Sequence, residues 1–438
     1  MSHHSTLQQN TQATWTSFSF WWKSRIQLLC KTEFLYCVFS GAYLNQQTAA
    51  GLTPIMAAAC YPEQLEIVKY LAEKNTVLRY KDRNDQTIIH LAADHNNHKA
   101  IEAILNLSKT PSNFMVNEND QYDNTPLHLA CKKGYLETVK VLMEHQAEVD
   151  NKNEDEKTPF HLAAQEGYVE VVEHILRSNK SVVNDLDEDD NTALHLAATA
   201  KMTNTVDALL EHGADVRRKN DMGWTPLDCA AAAGSYKCVL RILDEDAEID
   251  ALDRKKTTPL HLTAINGHPQ IALLLLDRGA RIELENDIGK NALELAIDYG
   301  NKSVATAILN STHWKEAMKT CSLTGKSTLN TPLRMMIRKF PELATMVLDK
   351  CIKDKNENKF FLGIEKKDNE FTFDFAFLED TYNYKKKEEG KGFEYCYDCN
   401  DPYVNSALKI QNNHPLMIMN QEKQKSLLKH PVSLALLR

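Results

Sequence analysis

The chain has 438 residues, of which 43% are hydrophobic and 25% charged, so its composition fits either a few compact domains or one long repeat array. Its formal net charge of −9 at pH 7 supplies no basic field, and we therefore expect no nucleic-acid partner. No stretch reaches the roughly 18–20 consecutive apolar residues that a membrane-spanning helix requires. The ten cysteines show no framework spacing, which predicts reduced thiols.

Residues 1–49 precede the organised part of the chain. Residues 15–44 are rich in aromatic side chains, but Lys23, Arg25 and Lys31 interrupt them and no small-residue cleavage site follows. The pattern favours an irregular leader over a signal peptide, and it leaves open whether this leader is native to the protein.

From residue 50 onward, one phrase recurs with a period near 33 residues. Its clearest copies read Thr-Pro-Leu-His-Leu-Ala at 125–130, Thr-Pro-Phe-His-Leu-Ala at 158–163 and Thr-Pro-Leu-His-Leu at 258–262. Looser copies begin at Thr53, Thr87, Thr192, Thr225, Asn291 and Thr331. Successive starts are 34, 38, 33, 34, 33, 33, 33 and 40 residues apart, so the chain carries nine copies of one unit.

Each copy carries the signals of a helix, a turn and a second helix. The first Thr can accept a hydrogen bond from an unpaired N–H at a helix start, and Pro at the next position loses nothing there. The position nine residues after each start predicts a left-handed residue that ends the first helix. It holds Gly134, Gly167, Gly234, Gly267 and Gly300. Asn96 is a tolerable substitute there, whereas Pro62 and Lys201 predict looser turns.

The second helix of each copy is apolar along one side only. In the fourth copy, Val171, Val172, Ile175 and Leu176 occupy positions i, i+1, i+4 and i+5. One unit cannot bury such a stripe alone, but stacked neighbours can. The pattern resembles the ankyrin repeat over about residues 50–352. This resemblance implies an all-α fold, in which about nine ankyrin repeats form a solenoid that binds proteins through its concave face and loops.

Five histidines stand at the fourth position of the phrase and raise the question of a metal site: His90, His128, His161, His195 and His261. One histidine per copy places them on successive helices roughly 8–10 Å apart, whereas metal ligands lie within about 2.0–2.3 Å of one ion. We therefore predict that they hydrogen-bond the turn and loop of the repeat.

Other candidate sites carry weaker signals. Cys396 and Cys399 form a lone C-x-x-C without a second pair, which makes a zinc or redox role the weaker alternative. The acidic stretch 185–191 lacks the glycine and terminal glutamate of a calcium-binding hand loop, and is interpreted as solvated hairpin charge. No catalytic or nucleotide-binding motif occurs, so we predict a non-enzymatic protein with no cofactor and no metal site.

Four landmarks follow residue 330 in order. They are Phe-Pro-Glu at 340–342, Leu-Asp-Lys-Cys at 348–351, the alternating stretch 371–377 and Leu-Leu-Lys-His-Pro at 427–431. The alternation of Phe with smaller or polar residues predicts a half-buried strand. After an ankyrin array, this order resembles the TRPA-type transient receptor potential cation channels, in which the last landmark immediately precedes the first membrane region.

The resemblance divides the chain into an irregular leader at 1–49, ankyrin repeats at 50–330, a last degenerate repeat at 331–352, a β-containing linker at 353–413 and a helical segment at 414–438. It implies a homotetrameric, non-selective, calcium-permeable channel in the cell membrane, gated by chemical irritants or temperature. This chain would be its sensing and coupling arm on the cytoplasmic side, joined to the membrane only through a downstream segment. The alternatives are a soluble ankyrin adaptor and an enzyme whose catalytic domain lies elsewhere.

The family detects electrophiles through cysteines near the last repeat. By motif, the most reactive of these corresponds to Thr331 and a third falls near Asp380, neither of which can form a thiolate. Cys351 is retained and is the candidate electrophile-sensing residue. Lys350 beside it favours the thiolate, whereas its position at a helix end disfavours it, and a buried packing thiol is the alternative. The resemblance therefore implies weak electrophile sensitivity and greater reliance on temperature or another stimulus.

Overall fold

The structure is a computed structural model that describes residues 44–74, 76–107, 112–319, 322–324, 328–354, 371–373, 383–385, 394–396, 415–431 and 433. The chain divides into two units, Met1–Glu188 and Asp189–Arg438, and each is described by itself.

The described part of the first unit alternates short first helices with longer second helices. The helices are α1 Pro54–Ala59, α2 Leu65–Glu73, α3 Ile88–Asp94, α4 His98–Leu107, α5 Ser112–Val116, α6 Pro126–Lys133, α7 Leu136–Glu144, α8 Pro159–Glu166 and α9 Val169–Ser178. Single 3₁₀ turns occupy Pro62–Gln64 and Lys180–Asn184. First helices pack on first helices of the next copy, as α3 does on α6 and α6 on α8.

The second unit continues the same alternation. Its helices are α10 Ala193–Thr199, α11 Thr203–Glu211, α12 Pro226–Ala233, α13 Tyr236–Asp244, α14 Pro259–Asn266, α15 Pro269–Asp277, α16 Ala292–Asp298, α17 Lys302–Asn310, α18 Trp314–Ala317, α19 Pro332–Lys339, α20 Pro341–Lys350, α21 Pro415–Gln421 and α22 Lys425–Leu428. The all-α repeat architecture is thereby confirmed.

Strands in the described part of the chain are three residues long and form antiparallel pairs. They are β1 Ser322–Thr324 with β2 Thr328–Asn330, β3 Ile352–Asp354 with β4 Phe371–Phe373, and β5 Asn383–Lys385 with β6 Glu394–Cys396. The stretch predicted as one strand at 371–377 is thus described only over its first three residues.

The first helix of a copy begins where the phrase predicts. Thr158 has an extended backbone (φ −83°, ψ 164°), and its hydroxyl oxygen accepts a hydrogen bond from the backbone N–H of His161 at 3.4 Å. Pro159 fills the first helical position, where a missing N–H carries no cost. Behind this start, Phe160 and Ala163 are fully buried.

The turn between the two helices is left-handed at every glycine predicted for it, with φ of +71° at Gly134 and +85° at Gly167. Asn96 adopts φ +55°, as expected of a substitute. Lys201 adopts φ +65°, so the prediction of a looser turn there was wrong. The N–H of Met202 donates to the carbonyl of Ala197 at 2.9 Å, as Tyr135 does to Ala130, so the same turn forms although lysine is less suited to positive φ than glycine. Pro62, by contrast, begins a 3₁₀ turn.

The apolar stripe of the second helices forms the core. Val171, Val172, Ile175 and Leu176 of α9 are all buried, at the four predicted positions. Fully burying each such side chain contributes about 1.5–3 kcal/mol relative to exposing it, which explains why a stack can be stable when one helix pair is not.

Candidate functional site: the junction after the last repeat

The last repeat and the segment at 415–431 meet in one part of the second unit. Helix α21 packs against α19, and α22 packs against α20. The first helix of the segment therefore lies on the first helix of the last repeat, and the second helix lies on the second. The ankyrin copies upstream pack in the same way. Three of the four landmarks after residue 330 lie at this junction, with 340–342 and 348–351 in the last repeat and 427–431 in the docked segment.

The segment at 415–431 repeats the local geometry of an ankyrin helix pair. Lys423 is left-handed (φ +55°), and the next residue, Gln424, donates its N–H to the carbonyl of Met419 at 2.8 Å. The corresponding bond after Gly134 runs from the N–H of Tyr135 to a carbonyl five residues upstream at 3.0 Å. The segment thus presents to the last repeat the surface that another repeat would present.

A polar contact joins the two parts. The Nε2 atom of His430 lies 2.9 Å from Oδ1 of Asp349, which is the penultimate residue of α20. His430 is only 8% exposed, and Leu427 on the same segment is fully buried. The contact brings together the second and fourth landmarks of the sequence, which are 81 residues apart.

The last repeat is also tied to the copy before it. Lys339 donates to Oδ1 of Asp298 at 2.8 Å, and Lys290 contacts the other oxygen of the same carboxylate. Burial by itself would raise the pKa of Asp298, but the hydrogen bonds from both lysines outweigh it and lower the pKa. Lys302 pairs with Glu342 at the start of α20.

The side chain of Lys350 makes contacts that the sequence did not predict. Its Nζ donates to the carbonyl of Leu309 at 2.5 Å and lies 5.6 Å from the ring centroid of Trp314. Partial burial lowers the pKa of this lysine. The ammonium group is therefore used to tie α20 to the end of α17.

Cys351 follows α20 directly and is 2% exposed. Its backbone N–H donates to the carbonyl of Val347 at 3.2 Å, so it closes the helix. Thr331, which the resemblance aligns with a reactive cysteine, caps α19 by accepting from the N–H of Arg334 at 3.4 Å. Asp380 and Cys399 lie outside the described residues, and Cys396 is described only as backbone of β6.

The histidine series is explained by hydrogen bonds. Nδ1 of His90 faces the N–H of Thr87 at 3.2 Å, and Nε2 lies 2.9 Å from the carbonyl of Asn124. Since an N–H only donates and a carbonyl only accepts, Nδ1 is the acceptor and Nε2 carries the proton. The same pair of bonds occurs at His128, His161, His195 and His261.

These bonds confirm the structural interpretation of the histidines, with one refinement. The carbonyl that Nε2 contacts belongs to the loop leading into the following copy. Burial lowers the pKa of His128 to about 4, which keeps the ring neutral at physiological pH. Among the described residues, no group of three His, Cys, Asp or Glu side chains could hold a metal ion.

Asp228 is a buried acid that the sequence reasoning missed. It stands where other copies have histidine, and its Oδ2 accepts from the N–H and the hydroxyl of Thr225 at 2.8 and 2.7 Å. Its Oδ1 is buried and has no hydrogen-bond partner in the described structure. Burial raises the pKa of Asp228 to about 7. The signal was present in the phrase itself, which reads Thr-Pro-Leu-Asp at 225–228.

The acidic stretch 185–191 is only partly solvated. Residues 188–190 are exposed, as predicted, but Asp187 is buried. Asp185 is half-buried, and this burial raises its pKa.

A fold of stacked helix pairs joined by left-handed turns and histidine-held loops defines the ankyrin class. The family model for ankyrin repeats (3 copies) matches residues 27–113, 107–187, 175–253 and 241–317. The chain belongs to the ankyrin-repeat family. The first match begins at residue 27, inside the segment interpreted as a leader.

Among individual proteins, the chain is 30% identical over 346 residues to a transient receptor potential cation channel subfamily A member 1 homolog from Caenorhabditis elegans. This match covers 74% of the chain and 28% of the relative, and it confirms the predicted resemblance to the TRPA type. The chain is also 33% identical over 194 residues to NF-kappa-B inhibitor alpha from Gallus gallus, which covers 42% of the chain and 59% of that protein.

The chain thus spans 28% and 59% of the lengths of these two relatives. Across the part of the chain that the structure describes, every helix is too short or too polar to cross a bilayer.

Proposed function

We propose that this chain is the cytosolic sensing and coupling arm of a non-selective, calcium-permeable cation channel that responds to chemical irritants or temperature. The whole protein would be a homotetramer in the cell membrane, with this arm on the cytoplasmic side. The observation that carries the proposal is the docking of the segment at 415–431 on the last repeat. In the TRPA family, the residues that match 427–431 lead directly into the membrane region.

A stack joined repeat to repeat deforms as a unit, so a load on the stack can act on the segment that is docked at its end. At the junction, α20 is tied upstream through Lys350 and Leu309, and downstream through Asp349 and His430. A displacement of the last repeat would therefore move the segment that follows it.

The contact between His430 and Asp349 supplies the test. In the full-length protein, His430→Ala, Asp349→Ala and the double variant should each shift gating by on the order of 1 kcal/mol, because they remove the same hydrogen bond. The two single effects should not add. Current recordings would measure the shift, and hydrogen exchange of residues 415–431 in the 438-residue chain would report undocking.

A matched control removes an ion pair that is far from the junction in sequence and exposed, Lys69 with Glu66 on α2. Lys69→Ala should leave both the gating and the exchange of 415–431 unchanged. If His430→Ala accelerates exchange while gating stays at the wild-type value, the coupling role is wrong.

We further propose that Cys351 is the electrophile-sensing residue, reached only when the junction opens. Because it is buried, limiting amounts of a small thiol-reactive probe should label it slowly. The control is Cys131, which is also buried and whose pKa is raised by burial alone. Mass spectrometry should show Cys351 labelled faster than Cys131, and Cys351→Ser should reduce the electrophile response of the full-length protein. Equal rates for the two cysteines would contradict the assignment.

The second candidate is a soluble ankyrin adaptor that binds proteins through its concave face. The ankyrin repeats and the similarity to NF-kappa-B inhibitor alpha favour it. Sequencing the transcript beyond the codon for Arg438 separates the candidates. Six hydrophobic spans with a re-entrant loop support the channel, a stop codon supports the adaptor, and a catalytic domain would overturn both.

A further inference from the structure

Two neighbouring hairpin loops in the second unit concentrate cationic side chains on a chain whose net charge is −9. The first loop carries three consecutive cations at 217–219, and the second carries three at 254–256. All six side chains are exposed: Arg217, Arg218, Lys219, Arg254, Lys255 and Lys256. We name the surface formed by residues 217–222 and 252–256 the basic finger patch.

Each loop is held in shape by its own side chains. Oδ1 of Asn220 accepts from the N–H of Trp224 at 2.9 Å, and Oδ1 of Asp253 accepts from the N–H of Thr257 at 2.6 Å. The indole N–H of Trp224 donates across to Oδ2 of Asp253 at 3.1 Å. Loops fixed in this way lose little conformational entropy when they bind a partner.

The two loops are also joined edge to edge. The N–H of Arg254 donates to the carbonyl of Met222 at 3.4 Å, and its guanidinium pairs with Asp221 at 2.6 Å. Lys219 donates to the carbonyl of Leu252 at 2.9 Å. The basic finger patch is therefore one preformed surface rather than two independent loops.

The nearby carboxylates are already engaged. Asp221 pairs with Arg254, Asp250 pairs with Arg281 at 3.0 Å, and Asp253 accepts from the loop backbone and from Trp224. Among the described residues, Arg254 is the one cation of the patch in an ion pair, and Arg217 and Lys219 donate to backbone carbonyls, which leaves three cations with neither kind of contact. They are Arg218, Lys255 and Lys256. Their charge remains available to a partner.

Large apolar side chains stand among these cations. Met222 is 53% exposed and Leu252 is 44% exposed. On the next loop, Ile288 is 58% exposed, and the N–H of Asp287 donates to the carbonyl of Lys255 at 2.9 Å. Single exposed apolar residues are common, but three on adjacent loops beside unpaired cations are typical of a protein-binding surface.

We propose that the basic finger patch binds an acidic, extended peptide segment of a partner protein. Carboxylates of the peptide would pair with Arg218, Lys255 and Lys256, and its apolar side chains would pack on Met222 and Leu252. An anionic bilayer fits less well, because a broad negative surface would also meet the four carboxylates that flank the two runs of cations, whereas a narrow extended peptide can pass beside these carboxylates. They are Asp215, Asp221, Asp250 and Asp253. The binding goes beyond the coupling role and does not depend on it.

The test uses the 438-residue chain and a short fluorescein-labelled peptide in which Asp and Glu alternate with Leu. Fluorescence anisotropy should show binding that weakens as salt is added, since exposed charges are screened. The triple variant Arg218→Glu, Lys255→Glu, Lys256→Glu should bind at least ~10-fold more weakly. Met222→Ala with Leu252→Ala should weaken binding several-fold without changing the salt dependence.

The control reverses three exposed lysines elsewhere, with Lys99→Glu, Lys180→Glu and Lys237→Glu, so that the change in net charge is identical. This control should bind the peptide as the wild type does. Equal losses in both triple variants would mean non-specific attraction and would overturn the proposal. Binding to phosphatidylserine vesicles through the patch, without binding to the peptide, would overturn it in favour of a membrane surface.

Discussion

Raising the pH from about 5 to about 8 should lower the free energy of unfolding of the second unit by about 2–3 kcal/mol, because Asp228 must then bury a charge. Its folded-state pKa of about 7 lies above the ordinary value of 3.8, so the folded chain holds a proton that the unfolded chain has lost. The raised pKa of Asp228 stabilises the folded state fully at pH values below 3.8, and this contribution is lost as the pH rises through about 7. The physical cause is burial of the carboxyl group, which outweighs the hydrogen bonds from Thr225 and leaves Oδ1 without a donor in the described structure.

Asp228→Asn isolates this contribution. Relative to wild type, the asparagine variant should gain stability as the pH rises, because it carries no charge to bury. Urea denaturation at about pH 5 and about pH 8, together with hydrogen exchange of α12 and α14, measures this gain in stability. Asp190→Asn is the control, since it makes the same chemical change at an exposed position. A constant gap between Asp228→Asn and wild type would show that Asp228 is charged throughout.

Gly134→Ala should destabilise the first unit by about 2–3 kcal/mol, by two effects that can be separated. The first is backbone strain, because Gly134 has φ +71°. The second is a clash, since a Cβ at this position would lie 2.3 Å from Cδ1 of Tyr168. The ring would have to leave its place against the turn.

The matched control for Gly134→Ala is Gly300→Ala. Gly300 has φ +81°, but a Cβ there would meet nothing within 4 Å, so only the strain of about 1 kcal/mol remains. Urea denaturation of both variants should rank Gly134→Ala as clearly the more damaging. Comparable losses would show that Tyr168 yields without cost.

The repeat phrase predicted what local chemistry determines. Thr158 followed by Pro159 marked a helix start, and the glycine nine residues on marked the left-handed turn, because capping and φ are properties of single positions. The left-handed turns at Lys201 and Lys423 were not predicted, because packing of the helix pair imposes them on residues without that preference.

The junction was predictable only in part. Its landmarks could be read from the sequence, but the contact of His430 with Asp349 spans 81 residues, and no local pattern encodes it. The pKa of Asp228 also depends on burial and on missing donors, both of which are set by neighbouring copies. Similarly, Lys350 was expected to act on Cys351, whereas its ammonium group binds the carbonyl of Leu309.

The histidine bonds determine where the array can be cut. Because Nε2 of His90 bonds to the carbonyl of Asn124, the loop before Thr125 belongs physically to the helices that precede it. A fragment that ends before this loop would leave a buried imidazole N–H without an acceptor, which costs about 1–3 kcal/mol. A fragment should therefore end at the residue before the Thr that begins a copy, such as Asn124 before Thr125, and an insertion should be placed at the same point. Each piece then retains the acceptor for its own histidine.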